Sequence, residues 1–382
     1  MLRNNNIVQE IDLKNENIEK ICILMLGLLG DVLMRTPIVS AIKKIYPNAR
    51  LDIISDRIGK EVLKNNPYVN IIFVIDRKKN SKFKYVYNKI ATQLFLIKNR
   101  YDLILDLYGG KSSFNMMRLS FTKYQLGLLR DGKVFANKPL IKNSKNLNFY
   151  NKHHITNHLF KILKYFDIEI DTLDTTPEMY MSESIAEKIE NYINSFEIKN
   201  YYILSLGSGG LEKIISMQKM FELIKYIYQK YDLIPAIVLN PGQEYLRTDL
   251  IDNFLKPNNV DFIKLKLLSI EEVSILIKKS NFIIVPDTGL FHIAVANGTP
   301  IFSIFTYTNP KLVEPLKGIF EIVFKEDEML EENKNHELKL GTKDIASTKI
   351  KEAFDDFYIS LKNYLLPQDN KKIKGLYIAR KN

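Results

Sequence analysis

Short apolar runs alternate with longer amphipathic stretches in the first half of the chain, and this pattern predicts an α/β domain. Apolar runs of strand length occupy residues 20–26, 51–55, 71–75 and 102–107. A helical stretch from Ile38 to Tyr46 separates the first two runs and is ended by Pro47. Strands that alternate with helices are typical of a parallel sheet that is covered by helices on both faces. We therefore expect a doubly wound domain here.

The same alternation starts again in the second half. Residues 132–152 are rich in Lys and Asn and are predicted to form an irregular connection. A helix is predicted at residues 158–166 and a linker at residues 171–178. Further strands are predicted at 201–206, 234–239, 282–285 and 301–305, helices at 217–231, 270–279, 289–297 and 345–365, and an acidic surface loop at 321–332. The 382 residues are thus expected to form two doubly wound domains.

Composition narrows the class of protein. With 46% hydrophobic and 26% charged residues, the chain has the make-up of an ordinary globular protein. Its one cysteine, Cys22, lies in an apolar run, which excludes an internal disulfide framework and favours a reducing compartment. The first residues lack the pattern of a signal peptide, and no apolar run approaches the ~20 residues that span a bilayer. We expect a soluble, cytoplasmic protein.

The net charge of +11 favours anionic partners. Residues 77–100 contain eight Lys or Arg and no acidic residue, and residues 371–382 contain five. Such clusters fit an acidic lipid surface, a phosphorylated sugar or simply a solvated basic face. Because no helix-turn-helix, zinc-finger or RNP motif is present, nucleic acid is not expected as a partner.

Two turns at strand ends contain the main candidate residues, Gly27-Leu28-Leu29-Gly30-Asp31 and Asp287-Thr288-Gly289-Leu290-Phe291-His292. Open α/β sheets bind ligands at the carboxyl ends of their strands, and helix N-termini attract phosphate. Thr288 and the amides of Gly289 and Leu290 could therefore hold a diphosphate. Asp31 and Asp287 fit either ligand binding or helix capping, and His292 fits either the ligand site or the core.

Two more loops follow predicted strands in the second half. The loop Gly207-Ser208-Gly209-Gly210 precedes Lys213, which either neutralises a phosphate or is solvated. Its spacing is not that of a Walker motif, because Ile214 follows the lysine. The turn Asn240-Pro241-Gly242 precedes Gln243 and Glu244, which either bind ribose hydroxyls or belong to an ordinary turn.

The sequence predicts neither a metal nor a cofactor. No Cys and His cluster has the spacing of metal ligands, and no Asp-x-Asp pair is present. A structural role is predicted for the histidines His153, His154 and His158. The turn after the first strand lacks the G-x-G-x-x-G spacing of a dinucleotide site, so an oxidoreductase is disfavoured.

Several of these motifs resemble glycosyltransferase family nine, the ADP-heptose:lipopolysaccharide heptosyltransferases. The opening of that family is similar to Gly30-Asp31-Val32-Leu33 with Thr36-Pro37, and its donor-site signature is similar to Asp287-Thr288-Gly289 with His292 and Gly298-Thr299-Pro300. The resemblance spans roughly residues 20–360. Two segments depart from the family pattern: residues 211–216, and Thr306-Tyr307-Thr308-Asn309-Pro310 in place of Gly-Pro-Thr-Asp-Pro.

The resemblance implies the GT-B fold, with two Rossmann-like doubly wound domains and the active site in the cleft between them. Residues 1–175 would bind the acceptor and residues 176–344 the nucleotide sugar. Residues 345–382 would form a terminal helix that packs back on the first domain, followed by a basic tail. It also implies an enzyme, an inverting glycosyltransferase that moves a heptose from ADP-heptose to a lipopolysaccharide-core or other glycan acceptor.

The resemblance assigns Asp31 as the general base and Lys213 as a phosphate ligand, with donor contacts from Asp287, Thr288, Gly289, Leu290 and His292. Lys111, Arg118 and residues 77–100 are expected to meet a phosphorylated glycolipid acceptor at the inner leaflet of the cytoplasmic membrane. Four alternatives stay open: another nucleotide-sugar donor, a protein acceptor, a nucleotide-sugar epimerase, and a non-catalytic family member.

Overall fold

The chain folds into two compact units, residues 1–175 and 176–382, and each contains one six-stranded sheet. The computed structural model describes residues 13–76, 82–129, 134–137, 154–196, 200–324 and 345–365. Both sheets are largely parallel and have helices between successive strands, so the α/β class expected from the sequence is confirmed.

The first unit has the strand order β3-β2-β1-β4-β5-β6. Its strands are β1 (Lys20–Leu24), β2 (Arg50–Ser55), β3 (Ile71–Val74), β4 (Leu103–Asp106), β5 (Tyr124–Leu128) and β6 (Val134–Ala136). Its helices are α1 (Leu29–Leu33), α2 (Thr36–Ile45), α3 (Arg57–Leu63), α4 (Lys82–Asn99), α5 (Lys111–Arg118) and α6 (Ile155–Leu159). All pairs are parallel except β5 with β6.

The central strands of this unit are buried along nearly their whole length, as expected when helices cover both faces of a sheet. Cys22 lies in this core, and burial raises the pKa of its thiol well above the ordinary value. Two predictions need correction. Residues 134–136 are a strand rather than irregular, and α6 is followed by a 3₁₀ segment, Phe160–Phe166, rather than one continuous helix.

The second unit has the order β12-β11-β10-β7-β8-β9 and is parallel throughout. Its strands are β7 (Tyr201–Leu204), β8 (Ile234–Ile237), β9 (Ile263–Lys264), β10 (Ile283–Val285), β11 (Ile301–Ile304) and β12 (Phe320–Val323). Its helices are α7 (Glu183–Asn194), α8 (Met217–Tyr231), α9 (Glu244–Asp249), α10 (Ile270–Lys279), α11 (Gly289–Asn297) and α12 (Ser347–Leu365). The acidic loop predicted at 321–332 is wrong at its start, where β12 lies, and residues 325–332 fall outside the described residues.

The terminal helix α12 is part of the core of the second unit, and its packing on the first domain stays a prediction. The ring of Phe354 lies 5.9 Å from that of Phe282 and 5.2 Å from that of Phe302. Phe357 contacts the same two rings at 5.6 and 5.7 Å. This aromatic cluster buries the apolar side of the helix within its own unit. The basic tail lies outside the described residues.

Candidate active site

Four loops of the second unit, three of them predicted as candidate sites, lie at one edge of its sheet. The strands β11, β10, β7 and β8 are consecutive neighbours and run parallel, so the loops that follow them leave the sheet at the same edge. These loops contain Thr306 to Thr308, Asp287 to His292, Gly207 to Lys213, and Asn240 to Glu244. Ligands of open α/β sheets bind at this edge.

At the centre of this edge, Lys213 and Asp287 form an ion pair. The Lys213 Nζ lies 2.5 Å from the Asp287 Oδ2, and the two side chains are 26% and 11% exposed. The Thr308 hydroxyl donates to the same carboxylate oxygen. Asp287 therefore holds the lysine, and the capping interpretation of Asp287 is wrong because Thr288 is the N-cap of α11.

The loops after β7, β8 and β10 are tied to one another by hydrogen bonds. The Ser208 hydroxyl donates to the Asp287 carbonyl at 3.1 Å, and the Gln243 Nε2 donates to the Ser208 carbonyl at 2.8 Å. The Gly207 N–H donates to the Asn240 Oδ1 at 3.4 Å. A Cβ at Gly207 would lie 2.7 Å from the Asn240 Cγ, so this close approach of two loops requires glycine.

Helix α11 presents its N-terminus beside this ion pair. The Thr288 Oγ1 accepts from the Leu290 N–H at 3.1 Å, so that amide already has a partner within the turn. His292, one turn into the helix, is only 6% exposed and its ring packs edge-on against Phe291 at 5.3 Å. These contacts are those of a packed side chain.

The remaining predicted donor ligands differ in environment. Gln243 uses its side-chain amide to fix the loop of Ser208, as described above. Glu244 is exposed at the N-terminus of α9, where its Oε1 accepts from the Gly242 N–H at 3.0 Å. That backbone hydrogen bond lowers the pKa of the Glu244 carboxyl, so the group is ionised at neutral pH.

Apolar side chains surround a small pocket whose lining includes residues adjacent in the sequence to the ion pair. These sequence neighbours of the two members of the pair are Ile214 and Pro286. The other lining residues are Leu206, Ile215, Met217, Met220, Ile284, Val285 and Ile304. A phosphate has no polar partner in such a pocket, so the charged ligand groups belong at the polar edge.

In the first unit, Asp31 lies in the turn that follows β1. It occupies the first turn of α1, and its Oδ2 accepts from the Leu28 N–H at 2.9 Å. The Oδ2 of Asp31 therefore serves the N-terminal cap of α1, and a ligand role for this carboxylate stays a prediction. A Cβ at Gly27, whose φ is +149°, would lie 2.6 Å from the Asp31 Cβ and 3.1 Å from the Arg35 Nη1. The carboxylate and the buried guanidinium thus border the same small space.

A second carboxylate, Asp106, ends the neighbouring strand β4, opposite Leu24 of β1. It is fully buried and accepts from the Ser113 hydroxyl at 2.8 Å and from the amides of Tyr108 and Gly109. Burial raises the pKa of Asp106 to about 6, although these hydrogen bonds and the nearby charge of Arg35 oppose the shift. Asp106 is a structural anchor for the loop that begins α5.

The predicted acceptor ligands Lys111 and Arg118 lie at opposite ends of α5. Lys111 is exposed at the N-terminus, next to the Asp106 loop and hence at the same sheet edge as Asp31. Arg118 lies at the C-terminal end, about 10 Å along the helix, where its guanidinium carbon is 5.8 Å from the Phe114 ring centroid. The structure therefore places only Lys111 at this edge.

Sequence reasoning did not identify Ser208, Thr308 or Arg35 as site residues. The first two were recognisable only as polar residues just beyond a strand end, the position that ligands occupy in this class of fold. Among the described residues, no group of three or more His, Cys, Asp or Glu side chains is arranged to hold a metal ion. His154 caps α6 and His158 is buried, both structural positions, whereas His153 lies outside the described residues.

Comparison with known proteins identifies the family. The family model for glycosyltransferase family 9 (heptosyltransferase) matches residues 93–341. The lipopolysaccharide heptosyltransferase 1 of Campylobacter coli is 24% identical over 297 residues, which cover 76% of this chain and 84% of that protein.

Two solved structures show the same fold. A family 9 glycosyltransferase from Veillonella parvula superposes with a TM-score of 0.70, 15% identity, and coverage of 90% of this chain and 98% of that one. The ADP-heptose lipopolysaccharide heptosyltransferase II of E. coli gives a TM-score of 0.69, 15% identity, and coverage of 90% and 99%. The chain has the GT-B fold and belongs to glycosyltransferase family 9, and it is accordingly a transferase enzyme.

Proposed function

We propose that this enzyme transfers a heptose from ADP-heptose to a sugar of a lipopolysaccharide core, with inversion at the anomeric carbon. The Campylobacter coli relative and the E. coli structure compared above are both named as lipopolysaccharide heptosyltransferases. The observation that carries the proposal is the placement of Lys213 by Asp287 and Thr308 beside the N-terminus of α11. This arrangement suits a diphosphate leaving group.

The donor side of the reaction needs positive charge, because the leaving nucleoside diphosphate gains negative charge as the glycosidic bond breaks. A lysine ammonium has three N–H donors, and Asp287 takes one of them. We assign the other two to the diphosphate. The N-terminus of α11, at Thr288, Gly289 and Leu290, adds its dipole. Together these groups supply charge stabilisation of the kind that a divalent cation supplies in other transferases.

The acceptor side needs a base for the attacking hydroxyl, and we assign this role to Asp31. Its Oδ2 accepts from the Leu28 N–H, which orients the carboxylate, and we assign proton transfer to Oδ1. A carboxylate is a weak base, so the proton moves late, after the hydroxyl has begun to attack an oxocarbenium-like carbon. The negative charge of Asp31 also stabilises that carbon. A single displacement from the face opposite the leaving group inverts the configuration.

The other residues are assigned to binding. Glu244 and Gln243 lie on the loop after β8, where the ionised Glu244 can accept hydrogen bonds from ribose hydroxyls. Lys111 is assigned to a phosphate of the acceptor. His292 is assigned to positioning the donor turn from inside α11, because its side chain is buried.

The test is a reaction of the purified chain with ADP-heptose and a heptose-deficient lipopolysaccharide core. We expect ADP release and a product heavier by one heptose, with little turnover of GDP- or UDP-sugars. A reaction of ADP-heptose without acceptor serves as the control, because an epimerase would convert the donor alone. Transfer from another nucleotide sugar at the higher rate would overturn the donor assignment.

A further inference from the structure

Helix α4 of the first unit has an exposed apolar side that the proposed reaction does not use. Ile90 is 55% exposed and Leu94 61% exposed, and both lie on this side. The exposed large apolar residues of the helix are Val86, Tyr87, Ile90, Leu94 and Ile97. Their spacing of three and four residues places them along one strip. The opposite side, which contains Thr92 and Leu96, is buried against the unit.

A neighbouring turn extends this strip. The Gln93 side chain of α4 donates to the Leu119 carbonyl, which fixes the turn after α5 beside the middle of the helix. In this turn Leu119 is 55% exposed and Phe121 is 82% exposed. Phe121 also has a φ of +57°, a strained value for a bulky residue. The strip of α4 together with Leu119 and Phe121 is called the apolar strip below.

Basic residues border the apolar strip. Lys89 and Lys98 are exposed on α4, and the helical repeat places them on its two sides. Arg118 and Lys123 lie on either side of the Phe121 turn; both are exposed, and the Lys123 Nζ lies 3.5 Å from the Glu16 Oε2. Residues 86–128 contain two acidic residues: Asp106, which is buried, and Asp102, whose Oδ2 accepts from the Glu19 and Lys20 amides at the start of β1. The whole region is therefore apolar at its centre and positive at its margins.

We infer that the apolar strip binds the surface of an anionic lipid bilayer, with α4 parallel to the membrane plane. Apolar side chains enter the boundary between headgroups and acyl chains, while lysines at the margins extend to the lipid phosphates. The positive charge at the margins of the apolar strip favours an acidic membrane over a second copy of this chain. A second copy of this chain would bring two positive margins together, whereas an acidic membrane neutralises them. Among the described residues, no helix is long and apolar enough to cross a membrane, so the contact is peripheral.

The test is co-sedimentation of the full chain with vesicles of phosphatidylcholine alone or with 30% phosphatidylglycerol, without any glycolipid. We expect binding only to the anionic vesicles, weakened by salt. The variant I90S/L94S should reduce the partition coefficient at least about tenfold, because each side chain loses its burial in lipid. The variant K89Q/K98Q should reduce it about fivefold for each lysine that lies near the surface.

Matched controls are the exposed apolar residue Ile359 on α12, as I359S, and two exposed lysines of the second unit, as K278Q/K362Q. Both should bind vesicles as the unaltered chain does. Circular dichroism and gel filtration should show all variants folded and monomeric. The proposal would be overturned if I90S/L94S bound vesicles as well as the unaltered chain, or if binding required added glycolipid. It would also be overturned if the chain formed a lipid-free dimer that this variant dissociates. The readout needs no turnover, so it is independent of the proposed reaction.

Discussion

Lys213 and Asp287 are 74 residues apart in the sequence, yet the Lys213 Nζ lies 2.5 Å from the Asp287 Oδ2. The contact joins the loop after β7 to the loop after β10, two neighbouring strands of the second sheet. Because Thr308 donates to the same oxygen, residues from three loops converge on one carboxylate. The lysine is thereby held at the sheet edge rather than free to move with its loop.

Replacing Lys213 by Met should weaken ADP binding at least about tenfold, since a charge-assisted hydrogen bond to phosphate is worth roughly 1.5–3 kcal/mol. Isothermal titration with ADP measures the effect. The control is Lys278→Met, which removes an exposed lysine at the C-terminal end of α10. An ADP affinity that is the same in both variants would remove Lys213 from the donor site.

Replacing Thr308 by Val should weaken ADP binding by a smaller factor, about three- to tenfold. The change keeps the shape of the side chain but removes the hydroxyl that donates to Asp287, so the carboxylate and its lysine lose one restraint. Thr308→Ser retains a hydroxyl and should restore most of the affinity in the same titration. If Ser and Val behave alike, the hydroxyl has no role in holding the pair.

Replacing Asp31 by Asn should lower the rate of transfer by a factor of about 10² or more while leaving ADP affinity unchanged. The amide oxygen of Asn can still accept from the Leu28 N–H, so α1 keeps its cap and the fold is preserved. Steady-state assays and the thermal midpoint of unfolding separate the two roles. Retained turnover in the Asn variant would reduce Asp31 to a helix cap.

The sequence was most informative where local signals and burial agree. Helix α10 begins after Ser269, whose hydroxyl and the Glu272 carboxylate form a capping box, and its predicted bounds are those observed. The strands β5 and β12 were missed, because Gln125 and Gly127 interrupt the first apolar run and Glu321 the second. Both are completed by pairing with a neighbouring strand, which no local pattern contains.

In the candidate site, too, the local sequence identified some features and could not identify others. Position just beyond a strand end was sufficient to select Lys213 and Asp287, because parallel strands deliver their carboxyl ends to one edge. The partner of each side chain could not be inferred: Thr308 lies in a segment that departs from the family pattern, and its contact depends on β11 lying beside β10. The packing of α12 on the second sheet was not predicted, because its aromatic residues indicate that the helix is buried but not which sheet buries it.

Replacing Gly27 by Ala should destabilise the first unit by about 1–3 kcal/mol and abolish transfer. Its φ of +149° is one that side chains rarely adopt, and the new Cβ would lie 2.6 Å from the Asp31 Cβ, so the proposed base must move. Chemical denaturation and the transfer assay check both effects. The control is Gly209→Ala, since a Cβ there meets no atom within 4 Å. A fully active Gly27→Ala would show that Asp31 tolerates displacement.

Asp106 should make the stability of the first unit depend on pH. Its pKa is about 6 in the folded chain and lies near 4 in an unfolded one, so between these values the folded state binds more protons. Stability therefore falls as the pH rises from about 4 to 6, by on the order of 3 kcal/mol, and is level above that window. Denaturation across this range, compared with Asp106→Asn, isolates the effect because the amide does not titrate. Ser113→Ala removes a hydrogen bond to the ionised form of Asp106, so the pKa of Asp106 should rise further. In this variant the fall in stability should therefore continue to a higher pH. The same slope in Asp106→Asn as in the unaltered chain would assign the pH dependence to another group.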